Sequence, residues 1–206
     1  CALKTNEDLI GLGVFFEPWK FDDKIEQYSL YVTLEHAANK TAETEDLYSN
    51  YGDSLYYKPV KESSAAFMSK PYVENGITMI TASYPILYQG QFMGVVLADI
   101  NIGRFDHITT QAENFETMGA GILTDDFTIA YDSQSPDAVG QNLSENLKNP
   151  EEINPIIESA AAGQPFKATT VNADGKKVAR FFYPIDAQGA NWWAQTFLEE
   201  TDMYKG

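Results

Sequence analysis

Side chains able to do covalent or metal chemistry are sparse in this chain. The two histidines, His36 and His107, lie in unlike contexts, and neither sits in a metal-binding spacing such as His-Glu-x-x-His. Each reads as a structural or surface histidine. Acid pairs are abundant (Asp22-Asp23, Asp125-Asp126, Glu151-Glu152, Glu199-Glu200), and two carboxylates across a cleft are the apparatus of a glycosidase. In a chain with 30 acidic residues, solvated turns and helix caps are the simpler reading. Asp125-Asp126-Phe127-Thr128 lacks the alternating acids and central glycine of a calcium loop. Gly11-x-Gly13 lacks the third glycine of a dinucleotide loop, and no nucleophile elbow is present. The sole cysteine, Cys1, allows no internal disulfide and no cysteine metal site. No catalytic residue, metal or cofactor is assigned.

Aromatic and anionic side chains are the larger resource. The segment from Leu34 to Phe67 is dense in Tyr48, Tyr51, Tyr56 and Tyr57, and long aromatic loops over a sheet are where binding sites usually form. Its counterpart between Asp132 and Phe166 carries the small residues Ala160-Ala161-Ala162 instead, so the first half is the better candidate for ligand contact. Lys and Arg total 14 against 30 Asp and Glu, a formal charge of −16. Such a surface repels phosphate backbones and argues against nucleic acid as a partner.

The elements that must position these groups show themselves through a repeat, which settles architecture before local detail does. Asn75-Gly76, Tyr84-Pro85-Ile86 and Gln89-Gly90 recur 99 residues later as Asp174-Gly175, Tyr183-Pro184-Ile185 and Gln188-Gly189. Upstream, Gly11-Leu12-Gly13-Val14-Phe15 is echoed by Gly119-Ala120-Gly121-Ile122-Leu123. Asn-Gly and Asp-Gly signal type I′ hairpin turns, which need positive φ at both central residues. The apolar run Phe92 to Ala98 predicts a central strand buried on both faces. Val95, Val96, Leu97, Trp192 and Trp193 are predicted core residues, and Phe15, Phe16 and Trp19 are assigned to packing. A helix is predicted over Glu151 to Ala162, stopped by Gly163, and a connecting helix over Ile102 to Ala112. The chain opens in a polar stretch, Leu3 to Ile10, that reads as the end of a helix cut from a longer one. No stretch approaches the ~18 apolar residues of a membrane span. The expected fold is α+β, two related modules each with a mostly antiparallel sheet flanked by helices. The expected boundaries are 1–10 for the helix end, 11–112 for the first module and 113–206 for the second.

The succession Gly13-Val14-Phe15-Phe16-Glu17-Pro18-Trp19, Tyr28 to Val32, Tyr56-Tyr57-Lys58-Pro59, Lys70-Pro71-Tyr72-Val73 and Gly94 to Ile100 resembles the double Cache sensor domains of bacterial chemoreceptors and sensor histidine kinases. The resemblance covers nearly the whole chain. It implies two tandem PAS-like Cache modules held outside the cytoplasmic membrane between two transmembrane helices. It further implies a small-molecule ligand in the membrane-distal, N-terminal module, a cytoplasmic output domain in the full-length protein, and signalling as a homodimer through the helices.

The resemblance also transfers pocket positions. The Trp-Tyr pair of amino-acid-binding members corresponds here to Tyr56-Tyr57, the later tyrosine to Tyr72, the acid to Glu74 and the final aspartate to Asp99. The arginine of that motif falls on Ser54. Arginine is the natural bidentate clamp for a carboxylate. Its loss leaves Tyr56, Tyr57, Phe67 and Tyr72 as walls, with Glu74 and Asp99 as acceptors, a set suited to an amine or amine-bearing metabolite. An amino acid is the alternative if Lys58 or Lys70 replaces the arginine. Two competing functions stand beside the sensor: an extracytoplasmic carboxylate-dependent hydrolase, and a Cache module that recognises a periplasmic binding protein in place of a small ligand.

Overall fold

The computed structural model describes residues 2–44, 48–103 and 115–204. The chain packs as two compact units, residues 1–102 and 103–206. Most of the predicted connecting helix (102–112) lies outside the described residues, as does His107.

In the first unit a short helix α1 (Ala2–Thr5) leads into β1 (Leu9–Phe16), so the helical start ends earlier than the predicted residue 10. β2 (Ser29–Thr33), β3 (Phe67–Met68), β4 (Tyr72–Glu74), β5 (Ile77–Tyr88) and β6 (Gln91–Asn101) complete an antiparallel sheet in the order β2-β1-β6-β5-β3, with β4 also pairing β5. Glycine spacing explains the β1 pattern. Gly11, Gly13 and Phe15 face the interior, and a Cβ on Gly13 would lie 2.5 Å from the Phe15 ring.

β6 is central, between β1 and β5, but it is not buried on both faces. Val95 and Leu97 are 0% and 3% exposed, whereas Val96 is 44% exposed. Tyr84, its register partner on β5, is exposed on the same face. Tyr51, Tyr57 and Val60 pack on the Val95 and Leu97 face while the Val96 face stays exposed, so an unbroken apolar run alternates in burial as any half-covered strand does. The expectation of Val96 as a core residue is therefore corrected, and Trp19 is likewise exposed, at φ 62°.

The aromatic segment is not one long loop. It contains α2 (Leu34–Asn39), α3 (Tyr48–Tyr51) and α4 (Lys58–Ser63). α2 is fixed by a capping box in which the Thr33 hydroxyl accepts from the His36 backbone and His36 Nδ1 accepts from the Thr33 backbone. His36 thus has a structural task. α3 and α4 deliver Tyr51, Tyr57 and Val60 to a core with Phe15, Val95 and Leu97.

The second unit repeats the order. β7 (Gly119–Leu123), β8 (Ile129–Asp132), β9 (Phe166–Val171), β10 (Lys177–Ala187) and β11 (Ala190–Glu199) form an antiparallel sheet β8-β7-β11-β10-β9. Trp192 and Trp193 are buried, and Trp193 joins Leu123, Ile129, Ile156 and Phe182 in the core. α5 (Ile153–Ala160) begins later than predicted, because Pro150–Glu152 closes a 3₁₀ turn capped by Asn149. Gly163 leaves it at φ 62°.

Register, as well as order, is shared. Gly13 faces Tyr31 on one side and Leu97 on the other; its echo Gly121 faces Asp132 and Gln195. Thr81 faces Asp99 on the neighbouring strand; Arg180, 99 residues on, faces Phe197. The hairpin turns differ more than the repeat predicts. Gln89-Gly90, Gln188-Gly189 and Asn75-Gly76 all take positive φ at both residues. At Asp174-Gly175 only the glycine does. There the loop between Val171 and Lys177 is longer, and a turn closed by the Gly175 N–H on Asn172 O (2.9 Å) precedes the left-handed glycine.

Candidate functional site

A cavity of about 460 Å³ opens within the first unit. Its centre is Asp99, which β6 carries between β1 and β5 and which is only 8% exposed. Asp99 Oδ2 accepts from the Tyr31 hydroxyl of β2 at 2.6 Å, and Oδ1 accepts from the Thr81 hydroxyl of β5 at 2.6 Å. The Tyr72 hydroxyl of β4 stands 2.7 Å from Thr81 Oγ1. Because Thr81 gives its only proton to the acceptor-only carboxylate, Tyr72 donates to Thr81. Three strands thus converge on one aspartate through a relay of hydroxyls. Burial, joined by the charge of Asp99, pushes both the Tyr31 and the Tyr72 phenol well above the usual tyrosine range. Both therefore stay protonated and donating at any ordinary pH.

Four of the six sequence-derived residues line this cavity: Tyr56, Tyr72, Glu74 and Asp99. Tyr57 and Phe67 do not. Tyr57 is fully buried in the core, with its hydroxyl donating to Glu17 Oε1 at 2.8 Å. Phe67 pairs with Ser83 at the sheet edge and packs against the same core. Helical spacing explains the split between Tyr56 and Tyr57: neighbouring residues at the entry to a helix point in different directions. Lys58 and Lys70 are absent from the lining, and Lys58 instead approaches Asp53 at 3.5 Å. Sequence reasoning missed Tyr31, Thr33, Glu43 and Thr44. The alternation Ser29-Leu30-Tyr31-Val32-Thr33 marks β2 as a strand with Tyr31 and Thr33 on one face. No local pattern reveals which face meets Asp99.

The lining is anionic and aromatic. Glu43, Glu74 and Asp99 supply carboxylates, and Tyr31, Tyr56, Tyr72 and Phe15 supply rings. Among the described residues that line it there is no Lys, Arg or His. The acid pairs of the sequence stand elsewhere, and Asp126 is engaged with the Thr124 and Thr128 hydroxyls. Among the described residues no cluster of three His, Cys, Asp or Glu could hold a metal ion. No described helix is long and apolar enough to cross a membrane.

Comparison with known proteins agrees with this architecture. The chain is 27% identical over 93% of its length to the methyl-accepting chemotaxis protein TlpQ of Pseudomonas aeruginosa, and it spans 30% of that protein. Its fold matches the extracellular domain of mmHK1S-Z3, described as a histidine kinase (TM-score 0.78, 22% identity, 98% of this chain and 77% of that one). It also matches the ligand-binding domain of the Pseudomonas aeruginosa amino acid chemoreceptor PctB, solved with L-Arg (TM-score 0.64, 16% identity, 100% and 76%). Residues 1–107, which carry the whole Asp99 site, match the model of the methyl-accepting chemotaxis protein-like first PDC sensor domain. The chain belongs to that family of sensor domains, on a fold of two tandem PAS-like Cache modules.

Proposed function

We propose that the chain is the extracytoplasmic ligand-binding part of a membrane-anchored receptor and that its first unit binds a small amine or amine-bearing metabolite. One observation carries the ligand class: three carboxylates and several tyrosine rings line the cavity, with no basic side chain among the described lining residues. A carboxylate accepts up to about four hydrogen bonds, so Asp99 keeps acceptor capacity beyond Tyr31 and Thr81. An ammonium group held there meets its counter-charge, while ring faces add cation–π attraction of ~0.5–2 kcal/mol. Among the charged lining residues a ligand carboxylate meets only like charge. That separates this pocket in kind from one that clamps an α-carboxylate, even on a shared fold. The ligand acts by binding one arrangement of the receptor better than another, and the first unit is the membrane-distal module in this reading.

Isothermal titration of the domain against monoamines, diamines and α-amino acids tests the proposal. Amines bind, and at one hundred times Kd they add ~2.7 kcal/mol of stability. Binding of amino acids alone overturns the ligand class. Silence across the whole panel removes the small-ligand reading and favours recognition of a protein partner.

A further inference from the structure

The second unit holds its own cavity, about 390 Å³, and at its wall stands a buried cation. Arg180 on β10 is 6% exposed. Its Nε donates to Thr170 Oγ1 at 3.0 Å and one terminal nitrogen donates to Gln195 Oε1 at 3.1 Å. Its guanidinium lies over the Phe197 ring at 5.2 Å. All of these partners are neutral, and among the described residues no carboxylate lies within ion-pair distance and the second terminal nitrogen makes no hydrogen bond. Gln195, 2% exposed, is left with an unpartnered Nε2 beside it. Burial pulls the guanidinium down to about 10, against a smaller opposing pull from Asp132. A buried charge without a paired counter-charge is costly, so its place on a cavity wall needs a reason.

The shared register supplies one. Arg180 occupies in β10 the place of Thr81 in β5, and Asp132 occupies in β8 the place of Tyr31 in β2. Phe197 stands where Asp99 does. Asn75 and Met79 line the first cavity, and their counterparts Asp174 and Val178 line the second. The two cavities are therefore one structural position used twice, with the charge pattern recast. The first has an acid at its centre; the second has a cation on β10 and a separate acid, Asp132, on β8. One Asp132 oxygen caps the Gln134 and Ser135 amides at 2.9 Å each, and the other accepts no hydrogen bond among the described residues.

We propose that this second cavity binds a small zwitterion, its carboxylate on Arg180 and its ammonium on Asp132. Guanidinium presents a fork matched to carboxylate. A further acid of the lining, Asp174, repels a ligand with net negative charge and tolerates a neutral zwitterion, while Glu199 is already paired with Lys176 at 2.6 Å. The site is separate from the amine site of the first unit, and the two stand or fall independently.

The test is a heteronuclear NMR titration of the wild-type domain that follows the Arg180 Nε–Hε resonance. The probes are glycine, β-alanine and 4-aminobutyrate, which vary the span between the two charges, with acetate and methylammonium as single-charge controls. At least one zwitterion shifts the resonance saturably at up to ~10 mM, a range that covers millimolar Kd. Asp132→Asn, followed on the same resonance, and Arg180→Met, followed by titration calorimetry with the best zwitterion, each weaken that binding about tenfold or more, and Asp99→Asn leaves it unchanged. If Arg180→Met fails to fold, the wild-type titration and Asp132→Asn still decide. No shift with any zwitterion overturns the proposal. So does a response to acetate as strong as to the best zwitterion, or one abolished by Asp99→Asn.

Discussion

The Tyr31 hydroxyl reaches across 68 residues of sequence to place a 2.6 Å hydrogen bond on Asp99. It joins β2 to β6 over the intervening β1, whose Gly11 makes the passage possible. A Cβ on Gly11 would stand 2.1 Å from the Tyr31 hydroxyl oxygen. The site's geometry therefore rests on a glycine outside the cavity's lining.

Gly11→Ala is expected to push Tyr31 off Asp99. The variant should lose about 1–3 kcal/mol of stability, the usual range for overpacking, and bind amines more weakly. Chemical denaturation and titration calorimetry check the two effects. Wild-type affinity in a destabilised Gly11→Ala protein would show that Tyr31 does not position Asp99 for ligand.

Tyr31→Phe keeps the ring and removes one hydrogen bond to a charged group. A cost of about 1.5–3 kcal/mol in unfolding free energy follows, with an unchanged denaturant slope because no surface is newly exposed.

Asp99→Asn removes the central charge while keeping the shape of the side chain. Amine affinity should fall by about 2 kcal/mol or more, roughly 30-fold, and calorimetry reads this directly. An Asp99→Asn protein with unaltered amine binding would place the ligand elsewhere.

Glu17 pins the aromatic segment to β1. Its Oε1 accepts from the Tyr48 and Tyr57 hydroxyls, and its Oε2 from Lys61 at 2.9 Å. Burial works to raise its pKa, but hydrogen bonds from Lys61, Tyr48 and Tyr57 together outweigh burial and hold it below the usual carboxylate value. A depressed folded pKa means that the unfolded chain takes up the proton first. The stabilisation is thus present above the unfolded value, about 4.3, and is lost as pH falls through the folded one. Glu17→Gln should flatten the acid limb of a stability–pH profile in that window. The Lys61 arm is solvent-screened and contributes well under about 1 kcal/mol, yet it is the largest of the three donors' pulls on Glu17, so Lys61→Met should reduce the slope without abolishing it.

Phe182 is fully buried, stacked on Phe166 with ring centroids 4.5 Å apart. Phe182→Ala should cost ~3–5 kcal/mol, measurable as an early loss of the second unit's near-ultraviolet circular dichroism signal from Trp193.

The repeat with its 99-residue offset, the paired glycines and the turn dipeptides lay open in the linear sequence, because backbone sign and strand period depend on neighbouring residues alone. They determined two related antiparallel modules. Tyr56, Tyr72, Glu74 and Asp99, which line the cavity, were named through the family resemblance. Packing decided the rest. Tyr56 and Tyr57 are adjacent and identical, yet one lines the cavity and the other fills the core, because α4 fixes which direction each takes. Val96 and Val95 differ only in which side of one strand the helices cover. Tyr31 on Asp99, and the unpaired Arg180 at the place of Thr81, exist only once distant strands share a register. Long-range pairing carries no local signal, so these relationships belong to the tertiary structure.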